Sequence, residues 1–430
     1  MDIIEAIRLA WLAKKLKDLF FRGRKAEIRE RTLEIPLPWG TSISYHERVL
    51  SVGLEQGQGA FLDGGLEQVQ TLPNVKAALE KAGISKLTKE NVSEEKVADS
   101  VKQCAKALPE REGKLLAASV LLGHGDARFH AGDPSGAEYA YREAYELAYA
   151  ANDTTMKVVC LCVLGAALGM QGRYEEALKR FDEVLRQKPD DARAWWGRGM
   201  ALSALGRIEE ALFSFEKTTE IDPMHAKAWY DRGVTCARLG RHEQALACLN
   251  KTIELAPYHV EAWYGKGLVL GQLERFQEAL SSIERVIEIK PTHIEAWFYK
   301  GVTLGWLGRH EEVLACLNKT IELAPYHVEA WYGKGLVLDI LGQHNEALGN
   351  FIKTIELNPD YAQAWYSKGL VLSILGRPEE ALDSLDKAAK LKPDYAIAWH
   401  NKGMILEKLG RKEEASAAYE HARALGKGKP

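Results

Sequence analysis

Apolar and small residues recur along this chain with a period of 34. Trp195, Trp229, Trp263, Trp297, Trp331, Trp365 and Trp399 are spaced 34 apart. Four residues after each comes Gly199, Gly233, Gly267, Gly301, Gly335, Gly369 and Gly403. A second Gly follows in most repeats, as Gly206, Gly240, Gly308, Gly342, Gly376 and Gly410. In the repeat that starts at Ala192, Trp195, Leu202 and Leu205 fall on one helical face with Gly199 between them. Gly206 then stops the helix, because Gly accepts the left-handed conformation at a helix C-terminus. Ala211, Phe215 and Ile221 carry a second apolar stripe, and Pro223 prevents its extension. The pattern predicts two helices per repeat. Neither can bury its apolar face alone, so successive repeats must stack.

The run W-x2-[KR]-G-x2-L, then A-x3-[FLIY], then P, in seven copies, resembles the tetratricopeptide repeat family. The resemblance extends upstream. Residues 158–191 keep Gly165, Gly172, Ala177, Phe181 and Pro189, with Leu161 in place of Trp. Residues 118–157 keep Gly125, Gly132, Ala137, Tyr141 and Ala144 and run six residues longer. The resemblance implies an all-α, right-handed α-α superhelical solenoid of about nine helix-turn-helix repeats over 118–429. Their boundaries are 118–157, 158–191, 192–225, 226–259, 260–293, 294–327, 328–361, 362–395 and 396–429. Two departures stand out. Glu274 replaces the helix-ending Gly, at a cost of about 1 kcal/mol if its backbone is left-handed. Val313 replaces the small Ala.

The family's concave face is lined by the first helix of each repeat, and the resemblance implies that a partner binds there. Counting from the first residue of a repeat, helical geometry puts positions 2, 5, 9, 12 and 13 on one side, opposite position 7. The candidate contacts are Trp196, Tyr230, Tyr264, Phe298, Tyr332 and Tyr366 at position 5, and Leu268 and Leu336 at position 9. Glu261, Glu295 and Glu329 at position 2 and Trp306 at position 13 complete the set. Such a face suits a peptide with apolar anchors and basic residues between them. The position-5 aromatics are also common scaffold in the family, whereas Trp306 lies outside the repeat pattern.

Position 7 is basic in all seven copies: Arg198, Arg232, Lys266, Lys300, Lys334, Lys368 and Lys402. Its place near the Trp-bearing side argues for packed stems with heads on carboxylates rather than a nucleic-acid stripe. Glu220, Glu254, Glu288, Glu322 and Glu356 are the candidate partners. His225, His259, His293 and His327 close successive repeats and read as loop or groove histidines. Neighbours one repeat apart are separated by about 10 Å, too far to share a metal.

Residues 246–270 and 314–338 are identical, LACLNKTIELAPYHVEAWYGKGLVL in both. Each copy begins in a second helix and ends in the next first helix. The duplication places two copies of one surface about 20 Å apart along a stack.

Composition changes the picture little. A net charge of −3 gives no general pull toward nucleic acid. Six cysteines without zinc-type CxxC pairs read as reduced thiols. No P-loop, G-x-S-x-G or H-E-x-x-H appears, so neither catalysis nor a cofactor is expected. The N-terminal charges Asp2, Glu5 and Arg8 disfavour a signal peptide, which makes the cytoplasm the expected location. Residues 1–31 read as an amphipathic helix with nine basic and five acidic residues. Docking into the groove, partner contact and attachment to an anionic membrane surface all fit that stretch. Residues 33–75 read as irregular linker, and 76–117 as a helical cap on the first repeat. The expected role is therefore an interaction scaffold. An RNA-binding solenoid and a membrane-recruited adaptor are the alternatives.

Overall fold

The computed structural model describes residues 110–426. The expected N-terminal helix, the linker and most of the cap lie outside them. Among the described residues there are eighteen helices and no strand. Consecutive helices pair into nine antiparallel hairpins, confirming the all-helical repeat architecture.

The chain divides into two compact units at Pro257–Tyr258. The first contains α1 (Glu110–His130), α2 (Pro134–Ala150), α3 (Thr154–Met170), α4 (Tyr174–Gln187), α5 (Ala192–Ala204), α6 (Ile208–Ile221), α7 (Ala226–Arg238) and α8 (His242–Leu255). The second opens with α9 (Val260–Gln272), α10 (Phe276–Ile289), α11 (Ile294–Trp306), α12 (His310–Leu323) and α13 (Val328–Ile340). It closes with α14 (His344–Leu357), α15 (Ala362–Ile374), α16 (Pro378–Leu391), α17 (Ala396–Lys408) and α18 (Lys412–Gly426). The extra length of the first repeat goes into longer helices. α1 has 21 residues and α2 and α3 have 17 each, against 13 and 14 in the pairs from α5 to α16 and 13 and 15 in the last. α1 begins at Glu110, ahead of the expected repeat start at residue 118.

Each hairpin turns where the sequence predicts. Gly132, Gly172, Gly206, Gly240, Gly308, Gly342, Gly376 and Gly410 all have positive φ, between 72° and 79°. Glu274 takes the same conformation at φ 59°. There the backbone pays the steric cost of a side chain in the left-handed region. The other repeated Gly permits close approach of the paired helices. A Cβ built on Gly199 would lie 2.6 Å from the Phe215 ring, and one on Gly335 2.6 Å from Phe351. At Gly301 the nearest atom is the Cys316 Cβ at 3.4 Å, in the repeat where Val313 replaces Ala.

The core of each unit lies between the hairpins. Tyr141, Leu161, Leu168, Leu202 and Phe215 are buried in the first, and Ile283, Leu304, Phe351 and Leu372 in the second. The periodic Trp residues lock the connections. Trp195, Trp229, Trp297, Trp331 and Trp365 donate Nε1–H to the carbonyls of Pro189, Pro223, Pro291, Pro325 and Pro359 at 2.7–2.9 Å. Pro thus ends one repeat and accepts the bond that orients the next. Among the described residues no helix is long and apolar enough to cross a membrane.

Candidate functional site

The position-5 rings sit in the junctions between repeats. Trp196, Tyr264, Phe298, Tyr332 and Tyr366 are at most 8% exposed, and only Tyr230 is half-buried. Their polar atoms reach position 6 of the following repeat. Trp196 Nε1 donates to Asp231 Oδ2 at 2.8 Å, and Asn401 Nδ2 donates to Tyr366 Oη at 2.7 Å. Tyr332 Oη and Ser367 Oγ lie 3.3 Å apart. The rings also meet the residue that closes their own repeat and caps the next first helix. Tyr264 packs on His293 at 5.1 Å between centroids, Phe298 on His327 at 4.8 Å, and Tyr332 on Tyr361 at 5.1 Å. These aromatics back the face rather than stand out from it.

The recurrent histidines have a definite job that sequence spacing missed. His225, His259, His293 and His327 are N-caps of first helices. Each Nδ1 accepts the backbone N–H three residues on, from Ala228, Ala262, Ala296 and Ala330, at 3.1–3.2 Å. That role fixes the neutral ring with its proton on Nε2. Burial pushes the pKa of His225 and of His293 down. An S/T/D/N search for caps passes over them, although their place directly before each first helix was a usable signal.

The capping geometry leaves three carboxylates without a cation. Glu261, Glu295 and Glu329 come within 3.3–3.6 Å of their capping His Nδ1. That nitrogen already accepts the capping backbone N–H, so it donates no hydrogen bond to them. Among the described residues no Lys or Arg pairs with these three. Several acidic side chains on the second helices do hold an Arg or Lys, as in Arg309–Glu312 and Lys319–Glu322.

On the same helical sides lies a recess of about 360 Å³, lined by α13, α15 and α17 with His344 of α14. Its apolar wall is Ile340, Leu370, Ile374 and Met404, of which Ile374 is 59% and Met404 42% exposed. Asp339, Asn401 and Lys408 supply polar edges, and His344 Nδ1 lies 3.0 Å from Asp339 Oδ1. Of the two expected position-9 contacts, Leu268 is half-buried and Leu336 buried. Trp306 stacks on Phe276 with centroids 5.4 Å apart and planes 4° off parallel, so its ring is engaged within the fold.

The basic ladder is structural at every rung, but its expected carboxylate partners need correction. Each position-7 cation lies over the Trp three residues earlier, 4.9–5.9 Å from the ring centroid. Arg198, Arg232, Lys300 and Lys402 pair with Asp182, Glu216, Glu284 and Asp386 on the preceding second helix. Glu220, Glu254, Glu322 and Glu356 instead take Lys217, Lys251, Lys319 and Lys353 on their own helix, and Glu288 takes Arg285. The acidic position one turn earlier is the one that faces across the junction.

Family models of the tetratricopeptide repeat match residues 116–190, 163–223, 226–259, 260–293, 328–361 and 360–427. No curated protein matches the chain. Among solved structures, the chain is similar to YrrB, described as a TPR protein with an unusual peptide-binding site. The two share 29% identity over 44% of this chain and 97% of that one, with a TM-score of 0.40. MamA from Desulfovibrio magneticus RS-1 aligns at 24% identity over 40% of this chain and 96% of its own, TM-score 0.38. A tetratricopeptide repeat protein from Parabacteroides merdae ATCC 43184 aligns at 18% identity, over 59% and 98%, with a TM-score of 0.42.

Proposed function

The chain belongs to the tetratricopeptide repeat family, whose repeats mediate protein–protein interactions, and from that premise we propose a specific binding mode. The second compact unit binds a partner segment along its first helices, without catalysis. Basic side chains of the segment meet Glu261, Glu295 and Glu329, and apolar ones enter the recess at Ile374 and Met404. One observation carries this reading. The three carboxylates share a helical side, recur once per repeat and have no cation. The same side holds the exposed apolar wall. Tyr264, Phe298, Tyr332 and Tyr366 act as the packed floor that holds these groups in register.

The basic ladder does not favour nucleic acid, because its cations are spent on Trp rings and carboxylates. The test is selection of random displayed peptides on the immobilised full chain. The reading expects enriched peptides to combine Lys or Arg with apolar residues at helical spacing. Their affinity should fall about tenfold or more with Ile374→Glu and with Glu295→Lys, which is the scale of one lost anchor. Selected peptides that bind both variants as they bind the parent would sink it.

A further inference from the structure

The three free carboxylates recur once per repeat, and adjacent repeats are about 10 Å apart. A helical ligand matching that interval needs a cation about every seven residues, since each residue rises about 1.5 Å. This chain contains such a segment outside the described residues. Arg8, Lys15, Arg22 and Arg29 are spaced by seven within residues 1–31. A seven-residue interval drifts by only about 20° per step around a helix, so the four form one stripe. Ile4, Trp11, Leu12 and Leu19 lie beside that stripe on a helical projection. The segment therefore offers cations and apolar side chains on one side, facing a row of carboxylates at the starts of the first helices and an apolar recess toward their ends.

We propose that residues 1–31 of this chain occupy the acidic face of the second compact unit, with the Arg8–Lys15–Arg22 stripe along Glu261, Glu295 and Glu329. The inference rests on the binding face assigned above and names its occupant. A partner must then displace this segment, so the scaffold carries its own competitor. Supply from the same copy or from a second copy satisfies the chemistry equally.

The test uses a fluorescent peptide of residues 1–31 and two full-length receptors, the parent chain and a chain carrying Arg8→Glu, Lys15→Glu and Arg22→Glu. Anisotropy should show saturable binding to the variant, at least about tenfold tighter than to the parent, whose own segment competes. Affinity should fall with added salt. A peptide bearing the same three Glu substitutions should fail on that receptor. It should recover on one that also carries Glu261→Lys, Glu295→Lys and Glu329→Lys. A basic amphipathic peptide of unrelated sequence separates the two claims. If it binds and the native peptide does not, the self-occupancy is wrong and the face stands. If neither binds, the face assignment fails as well. Native binding without charge-swap recovery overturns the inference. So does flotation of the parent chain on phosphatidylserine vesicles by residues 1–31 with no peptide binding, because the segment would then be a membrane anchor.

Discussion

The Trp196 indole donates to Asp231 across a repeat junction, with 2.8 Å between Nε1 and Oδ2. Asp231 is buried, and that burial raises its pKa from 3.8 to about 7 even though the indole bond opposes the shift. Between those values the folded chain holds a proton that the unfolded chain has lost. The Asp231 contribution is therefore full below pH 3.8 and is lost as pH rises through about 7. Denaturant titrations should show the parent losing up to about 1.4 kcal/mol per pH unit across that window relative to Asp231→Asn. Parallel pH profiles for the two proteins would refute the buried-acid assignment.

The capping histidines predict the opposite slope. Burial lowers the pKa of His225 and His293, so protons bind the unfolded state first. Their stabilisation is present above the unfolded value of about 6.5 and is lost as pH falls below it. Double replacement by Asn keeps a cap acceptor without a titrating ring. Its stability should vary less between pH 7 and pH 5 than that of the parent, as read by thermal melts at matched ionic strength.

Glu274 is the one hairpin stop of the later repeats that carries a side chain in the left-handed region, at φ 59°. Glu274→Gly should stabilise the chain by about 1 kcal/mol. Chemical denaturation measures it, and a destabilised variant would mean that the Glu274 side chain has a compensating role.

Two glycines on α13 should respond oppositely to alanine. At Gly335 the new methyl would lie 2.6 Å from the Phe351 ring, so the helices must part, at a cost of about 1–3 kcal/mol. At Gly333 the nearest atoms are the Leu317 methyls at 3.5 and 3.7 Å, an ordinary contact. Gly333→Ala should gain up to about 1 kcal/mol from helix propensity. Comparable melting temperatures for the two variants would show that the junction is softer than the contacts imply.

How much of this could be read from the residues depends on how far each feature reaches. Helix stops at Gly206 or Gly342 are set within a few residues, so the period exposes them directly. The pairing of α5 with α6 follows from Gly199 and Phe215 inside a single repeat. Burial of Tyr264 and Tyr332 is different. Their covers, His293 and Tyr361, close the same repeats beyond the second helix, and a projection of one helix does not contain them. The position-7 partners were assigned one turn off for the same reason, since the Lys300–Glu284 pair crosses a junction. Of the proposed binding face, Glu261, Glu295 and Glu329 were legible because they repeat. The wall at Ile340 and Ile374 was not, because position 13 varies from Ala204 through Arg238 and Gln272 to Lys408.

The identical stretches 246–270 and 314–338 bear on how the chain could be shortened. A deletion of 68 residues that joins Leu270 directly to Asp339 would leave 362. In the shortened chain Tyr264 would take the place of Tyr332 and meet the same Ser367 and Tyr361 that Tyr332 meets now. Such a chain would be two repeats shorter, and the length of its acidic row would change with the loss of Glu295 and one copy of the Glu261–Glu329 pair. On the proposed binding mode, repeat number sets how many cations a partner segment presents, and a two-repeat deletion at this join would change it.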